Sequence, residues 1–212
     1  TTATATKSTM NILVIGSGAR EHAIVRALER SPKDKEIFCL GSNVNPGIAE
    51  LCADLTVANI NDTHTITSYA EKRAVDLAII GPENPLAVGA ADVLWDRGVR
   101  VVGPRKDLAQ IETSKAFTRD LLTEYNIPAC PKYKTFSSLS GVAEFLGELG
   151  ENYVVKYDGL AGGKGVKVSG DHLHSHDDAK IYCQELVEKG GVFVLEEKLI
   201  GQEFSLMSFC DG

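Results

Sequence analysis

The sequence has little that would suit a membrane, secreted or nucleic-acid-binding protein. Its formal net charge is −7, so it offers no general attraction to nucleic acid or to an anionic membrane. No segment reaches the roughly 20 consecutive apolar residues of a transmembrane helix, and no signal peptide is recognisable. The five cysteines are an odd number without a CxxC pair, which favours buried, reduced thiols. We therefore expect a cytoplasmic protein that acts on small molecules, without a nucleic-acid or membrane partner.

Length and composition indicate an ordinary globular protein of two small domains. Apolar residues make up 43% and charged residues 24% of the 212 positions. The first nine residues, TTATATKST, are a low-complexity stretch that cannot build a core, so we expect a disordered tail or an expression remnant before a native start at Met10. The patterns change character near Gln110, which predicts domains over 10–110 and 111–212.

The first of these regions alternates strand and helix patterns. Short apolar runs predict strands at 11–15, 36–40, 76–80 and 99–103, and amphipathic stretches predict helices at 20–31, 64–73 and 87–97. Continuous apolar runs are typical of strands covered on both faces. This order predicts an α/β domain with a doubly wound parallel sheet, whose ligands bind at the carboxyl ends of the strands.

Three polar, glycine-rich turns leave the strands of this region. They read GSGAREH (16–22), GSNVNPG (41–47) and GPENPL (81–86). Because parallel strands end at one edge of the sheet, we expect these turns to converge, with Arg20 and Glu83 facing one crevice. The interpretation as ordinary strand-to-helix turns stays open.

A dinucleotide-dependent oxidoreductase is an alternative that the predicted sheet permits. The dinucleotide fingerprint needs a third glycine where Glu21 stands. It also needs an acidic residue at the end of the second strand, where the chain has Gly41 and Ser42. The G-x-G at Gly16 and Gly18 is therefore weak support for NAD.

The second region has α+β patterning. Helices are predicted at 112–128, 137–149 and 176–190, and strands at 132–136 and around NYVVKYD (152–158). The stretches 192–199 and 203–209 predict an antiparallel pair of strands near the end of the chain.

The segment VVKYDGLAGGKGVKV (154–168) runs from a strand through a glycine-rich loop into another strand. Glycines let backbone N–H groups turn inward, and Lys164 adds a mobile charge at the tip, so the loop suits a polyphosphate. A Walker A lysine would open a helix, whereas Gly165 and Val166 begin a strand here, so we predict a hairpin lid. Lys156 would reach the phosphates from beneath. A non-catalytic nucleotide-binding module would use the same features and remains an alternative.

Five motifs, in order, carry a resemblance to a known family: ILVIGSGAREHA, GPENPL, QIETSKAFTRDLL, VVKYDGLAGGKGV and EEKLIGQEFS. They resemble the motifs of the glycinamide ribonucleotide synthetase (phosphoribosylamine–glycine ligase) family of the ATP-grasp superfamily. The resemblance implies ATP-dependent ligation of glycine to 5-phosphoribosylamine through a glycyl phosphate in purine biosynthesis. It also implies a substrate-binding first domain, a first part of an ATP-grasp domain with a lid over about 125–195, and a monomer.

The resemblance also implies roles for individual residues. Lys164 would act in catalysis, and the turns would contribute Gly18, Arg20, Glu21 and Glu83 to the phosphoribosylamine site. The residues that would bind ATP include two lysines, the glycine loop, the adenine-binding strand and a ribose carboxylate: Lys115, Lys156, Gly159, Gly162, Gly163, Gly165, Glu196, Glu197, Leu199 and Glu203.

The chain departs from the family in its length. Members are roughly twice as long, and the resemblance implies that their magnesium ligands lie beyond the position of Gly212. We therefore expect an ATP-grasp portion that is incomplete at the C-terminus, no metal ligand in this chain, and no ligase activity from these residues alone.

Overall fold

The computed structural model describes residues 9–162, 164–206 and 208. The chain divides into two compact units, Thr1–Thr113 and Ser114–Gly212. Apart from Thr9, the predicted N-terminal tail lies outside the described residues, and so does Gly163. Within the described ranges, no helix combines the length and the apolar character needed to cross a membrane.

The first unit is built on a parallel sheet of five strands in the order β3-β2-β1-β4-β5. Its strands are β1 (Met10–Ile15), β2 (Lys35–Gly41), β3 (Asp54–Val57), β4 (Leu77–Ile80) and β5 (Arg100–Val102). Its helices are α1 (Ala19–Glu29), α2 (Pro46–Ala49), α3 (Thr63–Lys72), α4 (Glu83–Ala87), α5 (Ala90–Trp95) and α6 (Lys106–Thr113). The predicted doubly wound α/β fold is confirmed.

The central strand shows why an apolar run folds in this way. Leu13, Val14 and Ile15 are all fully buried. Leu13 and Ile15 belong to one hydrophobic cluster, whereas Val14 belongs to a second. Because successive side chains of a strand point to opposite faces, each face of β1 packs into its own core.

Some local predictions for this unit were wrong. The strand β3 was not predicted, because Asp54 and Thr56 interrupt its apolar pattern. The turn predicted over 81–86 contains the start of α4, where Pro85 lies in the first turn and needs no hydrogen-bonded N–H. The helix predicted over 87–97 is divided at Gly89, whose φ is +90°.

The second unit has an antiparallel sheet in the order β6-β9-β7-β8. Its strands are β6 (Tyr133–Phe136), β7 (Tyr153–Tyr157), β8 (Val166–Val168) and β9 (Phe193–Glu197), and its helices are α7 (Lys115–Glu124), α8 (Val142–Leu149) and α9 (His176–Glu188). Phe145, Leu146 and Cys183 of the helices and Phe193 of the sheet lie in one core. The predicted α+β pattern and the β7–β8 hairpin are confirmed.

Two predictions for the C-terminal half of the chain were wrong in part. The helix predicted from residue 112 begins at Lys115, because the Ser114 side chain caps it by accepting a hydrogen bond from Phe117 N. Residues 203–206 form no strand, and β9 pairs with β6 and β7 instead. Positions 207 and 209 of that predicted strand lie outside the described residues.

Candidate functional site

The glycine loop, residues 158–165, joins β7 to β8. Its two ends are held together, because Tyr157 N donates to Gly165 O at 2.7 Å. Within it, Lys164 N donates to Ala161 O at 3.0 Å and forms a turn near the tip. The loop is therefore a closed extension of the hairpin.

Two glycines give the loop its shape. Gly159 has φ +149° and Gly162 has φ +55°, values that residues with a side chain rarely adopt. Lys164 is exposed near the tip, and Lys156 is partly buried on the strand that enters the loop. The described part of the loop thus offers one exposed cation near its tip and a second, partly buried cation at its base.

The base of the loop contains a buried carboxylate with two cationic partners. Glu196 on β9 is 3% exposed. Arg119 on α7 binds it in a bidentate manner, with Nε 2.8 Å from Oε2 and Nη2 3.2 Å from Oε1. Lys156 Nζ forms an ion pair with the same Oε1. These three side chains are called the Glu196 cluster below.

The cluster keeps Glu196 ionised. Burial acts to raise the pKa of this carboxyl group, but the hydrogen bonds from Arg119 and Lys156 outweigh burial and hold the pKa below its usual range. The resemblance implies that Glu196 lies in an adenine-binding strand, which stays a prediction; the Glu196 side chain is paired with Arg119 and Lys156.

A second carboxylate connects the loop to helix α7. Asp158 Oδ1 accepts hydrogen bonds from Lys115 N at 2.5 Å and from Ala116 N at 3.2 Å, and its Oδ2 accepts from Ser114 Oγ at 3.0 Å. Lys115 Nζ donates to Gly159 O at 3.1 Å. A carboxylate is favourable at a helix N-terminus, so Asp158 fixes Lys115 beside the start of the loop.

The other residues predicted to bind ATP are less constrained. Glu197 is partly buried, and its backbone N donates to Lys132 O at 2.9 Å. Leu199 is 67% exposed and Glu203 is exposed in a segment without regular structure. Gly163 lies outside the described residues. The structure thus brings Lys115, Lys156 and Glu196 close to the loop, whereas Leu199 and Glu203 lie on an open segment after β9.

In the first unit, the three polar turns are joined by hydrogen bonds. Arg20 Nη1 donates to Gly81 O at 2.7 Å, so the turn after β1 contacts the turn after β4. Ser17 Oγ donates to Asn43 Oδ1 at 2.5 Å, and Asn45 Nδ2 donates to Ser17 O at 3.0 Å. The convergence expected at the carboxyl edge of the sheet is present.

Glu21 lies at the centre of these turns. It is 5% exposed, and its Oε2 accepts a hydrogen bond from Gly18 N at 2.6 Å. A Cβ at Gly16 would approach Glu21 Cγ to 2.8 Å, and one at Gly81 would overlap the carboxyl group. The glycines of two turns therefore leave the space that this side chain fills, and Glu83 opens helix α4 nearby in the chain.

Sequence reasoning missed Arg119 and Asp158. Arg119 follows Lys115 by four positions, so both project from the same face of α7. Asp158 comes directly after β7, at the first position of the loop. These positions could have marked both residues as candidates for the site. Their partners could not be predicted in this way, because they lie far away in the chain.

The described residues offer this site neither a cluster of metal ligands nor a reactive buried thiol. In the described ranges, no group of three His, Cys, Asp or Glu side chains could hold a metal ion. Cys39 and Cys183 are buried free cysteines, and burial raises the pKa of each thiol to about 12. Such thiols stay protonated and react poorly at neutral pH.

Two solved structures share the fold of this chain. Phosphoribosylamine–glycine ligase from Thermotoga maritima matches with a TM-score of 0.70 and 24% identity, over 91% of this chain and 45% of that chain. Carboxyaminoimidazole ribonucleotide synthase from Aspergillus clavatus, complexed with ATP, matches with a TM-score of 0.68 and 16% identity, over 91% and 48%. The fold is that of the ATP-grasp type of ligase.

Sequence comparison gives the family. The N domain of phosphoribosylglycinamide synthetase matches residues 10–112, and its ATP-grasp (A) domain matches 113–212. Phosphoribosylamine–glycine ligase from Methanococcus vannielii is 49% identical over 210 residues, and that from Methanosarcina barkeri is 45% identical over 203. Each comparison covers 96% of this chain and 47% or 46% of the relative, so the chain spans about half the length of these curated relatives. The chain belongs to the phosphoribosylglycinamide synthetase family.

Proposed function

We propose that this chain binds ATP through the glycine loop, Lys115 and Lys156, and that it serves a phosphoribosylamine–glycine ligase. The observation that carries the proposal is the arrangement of cations along one closed hairpin loop. Lys164 is exposed near its tip, Lys156 lies at its base, and Lys115 contacts Gly159 of the loop. A triphosphate needs such cations, since each charge-assisted hydrogen bond contributes about 1.5–3 kcal/mol.

The proposed reaction joins the carboxylate of glycine to the amine of 5-phosphoribosylamine and releases ADP and phosphate. ATP would supply the phosphoryl group that activates the carboxylate. The residues of this chain would contribute by orienting the nucleotide and neutralising charge on its phosphates, a form of catalysis that needs no nucleophilic side chain. Lys164 is the candidate catalytic residue because it is exposed and lies on the loop.

The first unit would contribute to the phosphoribosylamine site. The hydrogen-bonded turns support this proposal, because they bring Gly18 and Arg20 to the same edge of the sheet as Gly81. Glu21 would act by holding the turns in place, since its carboxylate is already bound to Gly18 N. Glu83 would lie beside them at the start of α4.

Further expectations accompany this proposal. Mg²⁺ would join the nucleotide, but the donors in the described residues do not fit it, and we assign no step to a metal here. We expect a monomer with a domain boundary near residue 110 in the sequence. A cytoplasmic location suits a metabolic enzyme that contains free thiols. Because the chain spans about half the length of its relatives, we expect it to bind ATP without ligase turnover.

Nucleotide selectivity tests the proposal against an oxidoreductase. In a thermal unfolding titration, a ligand at 100 times its Kd stabilises the protein by about 2.7 kcal/mol. We expect ATP and ADP to raise the melting temperature and NAD⁺ and NADH to leave it unchanged. Stabilisation by NAD(H) and not by ATP would overturn the proposal. Normal turnover of these 212 residues in a coupled ADP-release assay would overturn the expectation that the chain binds ATP without ligase turnover.

A further inference from the structure

The Glu196 cluster presents a difficulty for nucleotide binding. Lys156 Nζ is paired with Glu196 Oε1 in the structure. If Lys156 turns to a phosphate, as the proposed function requires, it leaves that oxygen. Leaving a buried carboxylate without a cationic partner strongly destabilises the protein. Glu196 is such a carboxylate, because it is only 3% exposed. Some other group must therefore keep Glu196 paired.

The geometry of Arg119 meets this need. Its Nη2 is 3.2 Å from Oε1, the oxygen shared with Lys156, and its Nε is 2.8 Å from Oε2. Both carboxylate oxygens therefore keep a hydrogen bond when Lys156 is removed. The guanidinium side chain is itself 19% exposed and lies on helix α7, apart from the two strands that carry Lys156 and Glu196.

We propose that Arg119 is a positioning residue that retains Glu196, so that Lys156 can pass from Glu196 to the phosphates of the nucleotide. The inference rests on the proposed function, since it takes Lys156 as a phosphate ligand. In this arrangement Glu196 holds the Lys156 ammonium group at the base of the loop until nucleotide arrives. Arg119 then makes the exchange favourable by remaining bound to the carboxylate.

The exchange predicts an unusual pattern among substitutions. In Arg119→Met, Glu196 depends on Lys156 alone and holds it, so ATP binds more weakly. In the double variant Arg119→Met, Glu196→Gln, the carboxylate is gone and Lys156 is released. A second substitution in the same cluster should therefore restore binding that the first removes. A purely structural role for Arg119 would lower the melting temperature of Arg119→Met together with its affinity for ATP, whereas the proposed role lowers the affinity of a variant that is still folded.

Isothermal titration of the 212-residue chain with ATP tests this pattern. We expect Arg119→Met to raise the Kd for ATP about tenfold or more, which corresponds to about 1.4 kcal/mol. The Kd of the double variant for ATP should lie within about threefold of the Kd of the single variant Glu196→Gln, a difference of less than about 0.7 kcal/mol in binding free energy. Lys180→Met removes an exposed cation that is paired with Asp177 on α9, and this control should leave the Kd unchanged.

Each outcome decides the matter. Wild-type affinity in Arg119→Met, or no recovery in the double variant, would overturn the inference. If the methionine variant does not fold in a thermal unfolding scan, the uncharged variant Arg119→Gln replaces it, and the same two outcomes apply to it. Failure of the proposed function looks different, because the wild-type chain would then not bind ATP or Lys156→Met would bind it normally.

Discussion

The two units build their candidate sites by different physical means. In the first unit, the turns after β1, β2 and β4 are joined by hydrogen bonds to backbone carbonyls and amides, and the carboxylate of Glu21 is bound by Gly18 N. In the second unit, ion pairs hold the cations near the loop, and Lys156 shares the carboxylate of Glu196 with Arg119. The first arrangement fixes the backbone in one conformation. The second keeps charges paired, and we propose that they exchange partners when a phosphate binds.

The largest effect is expected from a change that breaks the backbone arrangement of the first unit. Gly16 has φ +112°, and a Cβ there would lie 2.8 Å from Glu21 Cγ and from Pro82 Cδ. Backbone strain and overpacking each cost about 1–3 kcal/mol, so Gly16→Ala should lower the free energy of unfolding of this unit by about 3 kcal/mol. Denaturant unfolding, followed as separate transitions for the two units, measures the loss.

Gly147→Ala is the matched control for this change. Gly147 lies inside helix α8, and nothing approaches within 4 Å of the Cβ that an alanine would add. Alanine is the better helix former by about 1 kcal/mol, so this variant should be at least as stable as the wild type. Equal stability of the two alanine variants would show that the turns are not closely packed. It would contradict the claim that packed, hydrogen-bonded turns build the site of the first unit.

A smaller effect is expected at the carboxylate that joins helix α7 to the loop. Asp158→Asn removes the charge that accepts hydrogen bonds from Ser114 Oγ, Lys115 N and Ala116 N. A negative charge at a helix N-terminus contributes about 0.3–2 kcal/mol, so the second unit should be destabilised by about 1 kcal/mol while the first is unchanged. Thermal unfolding and amide hydrogen exchange of the first turn of α7 measure the change.

Asp171→Asn provides the comparison for Asp158. Asp171 is an exposed residue 3.6 Å from Lys198 Nζ, a type of pair that contributes little. Asp171→Asn should leave the rate of amide hydrogen exchange in α7 as it is in the wild type. Faster exchange in both variants, or in neither, would mean that Asp158 does not fix this helix.

The sequence was most informative where a feature depends on neighbouring residues. The uninterrupted run of Ile12 to Ile15 predicted a strand buried on both faces, and the polar turns after such strands predicted a shared edge. The short β3 was missed because Asp54 faces Tyr69 and Arg73, so its polar character belongs to tertiary contacts.

Features that depend on distant pairing could not be predicted in this way. Arg119 and Glu196 are 77 positions apart, and Ser114 and Asp158 are 44 apart. The resemblance implied an adenine-binding strand at Glu196, and that role stays a prediction; nothing local to Glu196 shows that two cations cover its carboxylate. The strand predicted over 203–209 suited its apolar alternation, yet β9 already has partners on both sides.

The central claim is that the cations of the glycine loop bind the phosphates of a nucleotide, and the affinity for ATP tests it most directly. Each lysine should contribute about 1.5–3 kcal/mol, so Lys156→Met and Lys164→Met should each raise the Kd for ATP by about tenfold or more. Lys180→Met should bind like the wild type. If the double variant Lys156→Met, Lys164→Met keeps wild-type affinity for ATP, the lysines of the loop do not bind phosphate and the central claim is wrong.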